Sequence, residues 1–231
     1  MSQVGLNRQA VLDYESLPPG LRRQIEDGFD CHHARRQLIV IGNGGPGLWR
    51  SIQASGWRSA EPIDDFSIST VGDWFASHYP QQHCTQLFPA LAQIGLQQLG
   101  ELIGWHQAAP FMLGIDPFWG SWFAYRVVLL TDTRFALTPR LQQRSPCLDC
   151  SERPCISACP PRAMSGRGFS MHACAGYRLA SDSACRDRCL ARDACPVGSE
   201  QRYDDAQLRH GYRHSLAALK TYLGSGDGEQ G

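Results

Sequence analysis

The sequence predicts an α+β chain in which a mixed domain is followed by a cysteine-rich one. Three observations carry this. Apolar runs of strand type alternate with helical periodicity up to residue 143, eight cysteines then fall in two groups between Cys147 and Cys195, and an amphipathic stripe closes the chain. With 231 residues, 42% of them hydrophobic, the chain can bury one main core and a smaller appendage. The composition shifts divide it into residues 1–36 as a helical lead-in, 37–143 as the α+β domain, 144–200 as the cysteine-rich domain and 201–231 as a closing helix and tail.

In order, Asn7 to Ser16 and Leu21 to Phe29 have helical spacing around a Pro18-Pro19-Gly20 break. Cys31, His32 and His33 then read as a surface turn, with no second half at metal-ligand spacing nearby. Gln37 to Ile41 is a strand, followed by Gly42-Asn-Gly44-Gly45-Pro46-Gly47 and a helix from Leu48 to Ala54. That run matches Gly-x-Gly-x-x-Gly, but Gly56 to Asp65 contains no second strand and Pro46 removes an N–H from a loop that would have to donate them. A tight strand-to-helix turn is the plainer reading, and the loop could still line a ligand pocket. Asp64 and Asp65 suit the N-cap of a helix from Phe66 to His78. Thr85–Phe88 is a short strand. Ala90 to Trp105 reads as a helix, with Ala92, Leu96, Leu99 and Ile103 in a stripe widened by Leu91 and Leu102, and His106 at its end as a capping or surface histidine.

Phe111–Ile115 and Ala124–Leu130 are predicted strands. Their connection, Asp116-Pro-Phe118-Trp119-Gly120-Ser121-Trp122-Phe123, carries four aromatics. Aromatic faces beside a glycine suit a flat cofactor, and a hydrophobic plug between helix and sheet is the competing reading. Leu137 to Arg144 is a polar connector, and Tyr203 to Leu223 a helix with Leu208, Tyr212, Leu216 and Leu219 facing a core, before a disordered tail from Gly224.

The cysteines carry the chemistry. Cys147-x2-Cys150-x4-Cys155-x3-Cys159-Pro160 is followed by Cys174, Cys185, Cys189 and Cys195-Pro196. A structural zinc site needs four ligands, usually from two distant knuckles. A cubane iron–sulfur cluster lets one short loop supply three thiolates while the cysteine before proline serves the other cluster. The pattern thus reads as two [4Fe–4S] clusters with crossed ligation, Cys147, Cys150, Cys155 and Cys195 holding one, and Cys159, Cys174, Cys185 and Cys189 the other. Zinc, disulfides and a metal-free remnant are the alternatives, and Cys185-x3-Cys189-x5-Cys195 is wider than usual for a cluster loop.

With 22 basic and 22 acidic residues the chain has no net field for nucleic acid or anionic lipid. No apolar run approaches the roughly twenty residues of a membrane span, and residues 1–30 lack a signal-peptide layout, so a cytoplasmic, reducing setting is expected.

The strand and Gly-rich turn at Leu38–Gly47, the Gly-Ser-Trp-Phe stretch with its strand at Gly120–Leu130, the Cys-x2-Cys-x4-Cys-x3-Cys-Pro group and Cys189-Leu-Ala-Arg-Asp-Ala-Cys195-Pro-Val-Gly198 occur in that order. This resembles the bacterial dicluster ferredoxin-type proteins related to epoxyqueuosine reductase and to the cyanocobalamin-processing (MMACHC-like) proteins, closely over 110–200 and by order of elements over 38–110. The resemblance implies a nitroreductase-like or MMACHC-like α+β domain holding a corrinoid (cobalamin), a two-cluster ferredoxin-like domain that reduces it, and a C-terminal helix. Gly44, Gly45, Trp119, Gly120, Trp122 and Arg126 are then the candidate cofactor contacts, and a flavodoxin or ferredoxin the external electron donor. No catalytic residue stands out. The lysine-containing Gly-Lys-Asn stretch of epoxyqueuosine reductases and a C-terminal repeat domain for tRNA have no counterpart here, which argues against tRNA modification. Arg144, Arg153, Arg162, Arg167, Arg178, Arg186, Arg188 and Arg192 could offset the clusters' negative charge or face an acidic donor. Two functions follow: a corrinoid-reducing oxidoreductase, or an electron carrier or binding module with no substrate of its own.

Overall fold

A computed structural model describes residues 1–30, 36–90, 93–165 and 168–226. Along the chain the regular elements are β1 (Arg8–Asp13), α1 (Pro19–Gly28), β2 (Gln37–Gly44), α2 (Gly47–Ser55), α3 (Pro62–His78), β3 (Cys84–Phe88) and α4 (Leu96–Ile103). There follow β4 (Gln107–Ala108), β5 (Gly114–Ile115), β6 (Phe123–Thr131), α5 (Pro154–Ser157), β7 (Met164–Ser165), β8 (Gly168–Phe169), α6 (Met171–Leu179), α7 (Leu190–Asp193) and α8 (Asp205–Gly226). They form two compact units: Met1–His106 with Trp122–Gln143, and Gln107–Ser121 with the chain from Arg144 onward.

The first unit is built on an antiparallel sheet of order β1-β2-β6-β3. Every residue of β2 is buried, because both faces of the strand are covered. Alternation sends Leu38 and Val40, with Val128 and Leu130 of β6, into a cluster with Leu21 and Ile25 of α1 and Leu99 and Ile103 of α4. Ile39 and Ile41, with Val127 and Leu129, meet Leu48 and Ile52 of α2 and Phe66, Val71 and Phe75 of α3. A fully buried aliphatic side chain stabilises by about 1.5–3 kcal/mol, so these two strands anchor both layers. The connector at 137–141 is ordered against this unit: Thr138 N donates to Val11 O on the outer edge of β1 and Thr138 Oγ1 accepts from Val11 N, both at 2.9 Å, and Leu141 N donates to Ile103 O at 2.9 Å.

Several elements depart from expectation. Residues 8–13 are strand rather than helix; pairing of Ala10, Val11 and Leu12 with Val40, Ile39 and Leu38 outweighs their local helical spacing. Helix α3 starts at Pro62, so Asp64 and Asp65 lie in its first turn, where they complement the helix dipole instead of capping it. Helix α4 begins only at Leu96, and Leu91 and Ala92 fall outside the described residues. His106 is buried, not surface, and burial pushes its imidazole pKa down. Of the strand expected at Phe111–Ile115, Gly114 and Ile115 pair with Ala108 and Gln107, and Met112 takes a left-handed φ of 67°. Cys31, His32 and His33 lie outside the described residues. Helix α8 runs to Gly226, where a tail was expected from Gly224. No helix among the described residues is long and apolar enough to cross a membrane.

Candidate functional site

The second unit builds cysteines into its core. Cys155, Cys159 and Cys195 are buried with Phe111, Ile115, Ala163, Met164 and Ala191, and Cys147, Cys174 and Cys189 pack at the margin. Short one-turn helices place them. Pro154 opens α5 after Arg153, whose left-handed φ of 44° turns the chain, and α7 occupies the wide spacing between Cys189 and Cys195. Helices α5 and α7 pack on each other. All nine cysteines among the described residues are free thiols.

The thiols gather in two groups. Burial pushes the Cys147 thiol up, with Cys195 and Cys150 adding to the rise. Burial likewise raises Cys155, helped by Cys195, Cys147 and Cys150, and raises Cys195, helped by Cys150. These four line one small pocket of about 20 Å³ with the apolar walls of Phe111, Ile115, Pro146, Pro154 and Val197, and with Arg153. In the other group burial raises Cys174, with further pressure from Cys189, Cys159 and Cys185, and raises Cys189, with pressure from Cys185. Each thiol–thiol repulsion thus joins members of Cys147/Cys150/Cys155/Cys195 or of Cys159/Cys174/Cys185/Cys189. Among the described residues no three His, Cys, Asp or Glu converge as ligands of a single ion.

Arginines flank both groups. Arg153 and Arg202 oppose the rise at Cys147 and Cys195, and Arg178 and Arg192 do so at Cys174 and Cys189. Arg192 is buried; its guanidinium donates to Ser121 Oγ at 3.0 Å and to Ser121 O and lies over the Tyr203 ring. Arg144 and Arg188 pair with Asp149 and Asp193, Arg162 and Arg186 are exposed, and Arg167 is outside the described residues. Arg202 escaped the sequence reading because it lies beyond the last cysteine, although Arg202 was available as one more basic residue in the same run.

The nominated cofactor contacts are placed differently. Trp122, in the first unit, has 0% of its surface exposed and presents no face for stacking. Its carbonyl accepts from Gly45 N at 2.8 Å. Gly44 exchanges two bonds with the Asn7 side chain, N to Oδ1 at 2.7 Å and O from Nδ2 at 3.0 Å. The backbone donors of the Gly-rich turn are therefore spent within the fold, and with an antiparallel sheet the dinucleotide reading falls. Arg126 Nε donates to Asn43 Oδ1 at 2.6 Å, and its guanidinium lies 3.9 Å from Asp64; Asn43 donates on to Gly45 O, so Arg126 steadies that turn.

In the second unit, Asp116 organises the aromatic loop, a role the sequence reading missed although Asp before Pro is a turn signal. Its Oδ1 accepts from Phe118 N and Trp119 N at 2.8 and 2.9 Å, while Asp116 and Gly120 exchange backbone bonds. Phe118 is 61% exposed and meets the half-buried Trp119 edge-on at 4.8 Å. Gly120 does not face open space: a Cβ there would sit 2.0 Å from Val197 O, and a Cβ on Gly198 would sit 2.4 Å from the Trp119 carbonyl carbon. The glycine lets the loop backbone pack against the segment that follows Cys195.

No protein-family model and no curated protein matches the chain. Among solved structures, epoxyqueuosine reductase from Bacillus subtilis superposes with a TM-score of 0.56 at 11% identity, over 88% of this chain and 64% of that one. The fold resembles epoxyqueuosine reductase. A crystal structure of epoxyqueuosine reductase with a tRNA-Tyr epoxyqueuosine-modified stem loop aligns at 0.54 and 11% identity, over 90% and 66%. The chain thus spans about two thirds of the length of the reductases it matches. A C. elegans B12-trafficking protein, CblC, aligns over 89% and 85% at 12% identity, with a TM-score of 0.45 that is too loose to carry the fold.

Proposed function

We propose that this chain is an iron–sulfur redox protein carrying two [4Fe–4S] clusters. Cys147, Cys150, Cys155 and Cys195 would hold one, and Cys159, Cys174, Cys185 and Cys189 the other. The observation that carries this is the sorting of the thiols into those two groups of four, each mixing cysteines from both halves of the sequence pattern. When bound, each cluster supplies one-electron transfer. The chain's own part is to bury the ligands, exclude water with the prolines and Phe111, and set positive charge beside the thiolates through Arg153, Arg178, Arg192 and Arg202. A flavodoxin- or ferredoxin-type donor and a cytoplasmic setting belong to the same proposal. Protein purified without oxygen is expected to be brown, to absorb broadly at roughly 400 nm and to hold about eight irons. Stoichiometric zinc without iron would sink it.

A corrinoid-reducing role is the second reading, favoured by the fold likeness to epoxyqueuosine reductase, the family whose sequence resemblance implies a corrinoid. The residues nominated for it fit poorly, since Trp122 is enclosed and Gly120 is covered by Val197. Trp119 and Phe118 keep ring surface available. Titration with cob(II)alamin, followed by absorption and electron-spin spectra, separates the readings: the carrier reading expects no change at high micromolar cofactor, and a saturable change that Trp119→Ala weakens would restore the reductase.

A further inference from the structure

Arg178 sits on α6, four residues after Cys174, and is 9% exposed. Its Nε donates to Cys185 O at 3.2 Å, and its second nitrogen donates to Tyr212 O and Ser215 Oγ of α8 at 3.2 and 2.9 Å. The guanidinium also lies 4.7 Å from the centre of the Tyr212 ring. Its partners among the described residues are thus neutral oxygens and a ring, with no carboxylate. A buried cation without an anion is strongly destabilising, so its compensation must come from something beside it. The groups beside it are Cys174 and the backbone of Cys185, two members of the second four-thiol group.

We propose that the Arg178 guanidinium is the fixed counter-charge of the cluster held by Cys159, Cys174, Cys185 and Cys189, and that it couples the redox state of that cluster to the docking of α8. The inference rests on the two-cluster reading. One electron from a low-potential donor adds one negative charge beside Arg178. The guanidinium is then held more firmly, and so are the α8 oxygens it binds. By reciprocity, docking of α8 keeps the charge in place and favours reduction.

The full chain with its iron, kept without oxygen, tests this in two ways. Amide hydrogen exchange over Tyr212–Leu219 is expected to slow several-fold when dithionite reduces the protein, and equal exchange in both states would overturn the coupling. In an electron-spin-monitored redox titration, Arg178→Gln is expected to make one of the two clusters about tenfold harder to reduce, about 59 mV lower, while Arg178→Lys stays close to the parent. A Gln variant that is less stable but unshifted in potential would reduce Arg178 to a packing role. If the Gln variant does not fold, the exchange measurement on the unaltered protein decides alone. A parent protein with a single redox wave and about four irons would fail the two-cluster reading itself, before any change at Arg178.

Discussion

Cys150→Ala is expected to leave the protein with about four irons instead of about eight, because each cubane needs its own four thiolates. Cys150 shares its neighbourhood with Cys147, Cys155 and Cys195 and lines the pocket between them, so its loss should spare the group around Cys174 and Cys189. Cys189→Ala should give the complementary result. Iron analysis and electron-spin spectra of the two variants should therefore show two different remaining signals. Unchanged iron in Cys189→Ala would make this a one-cluster protein. Identical residual spectra in the two variants would mean that the two groups do not sort as their neighbourhoods indicate.

Trp122→Ala should act on stability. The ring is wholly enclosed, and truncating a buried Trp costs about 3–5 kcal/mol through lost burial and the cavity left behind. A sequence reading that gives Trp122 a stacking role expects a loss of about 1–3 kcal/mol in corrinoid binding with the fold intact. Urea unfolding followed by far-ultraviolet circular dichroism distinguishes the two. An unchanged midpoint together with weakened cobalamin binding would return Trp122 to the cofactor.

The strands β2 and β6 were legible because their apolar runs are long and branched. Strand β1 was not legible. Its identity depends on register with Gln37–Gly42, about thirty residues away, and nothing within Asn7–Ser16 encodes that partner. The surroundings of the aromatic loop were hidden for a related reason. Trp and Gly in one connection are compatible with a flat ligand and with close packing alike, and the close packing at Gly120 comes from Val197 and Gly198, nearly eighty residues downstream. Of the arginines, the sequence named Arg178 and Arg192 but could not separate them from Arg162 or Arg186, since burial, not identity, distinguishes them.

The meeting of Gly120 with Gly198 has a consequence for how the chain can vary. A Cβ at Gly120 would meet the Val197 carbonyl oxygen at 2.0 Å, one at Gly198 would meet the Trp119 carbonyl carbon at 2.4 Å and Gly120 N at 2.5 Å, and both hold left-handed φ angles, 59° and 65°. A larger residue at one cannot be offset by a smaller one at the other, because nothing is smaller than glycine. The two positions therefore have no compensating substitution open to them. Variants that change the aromatic loop while keeping the Cys195-Pro196-Val197-Gly198 turn must alter its length or path, not its residues at this point.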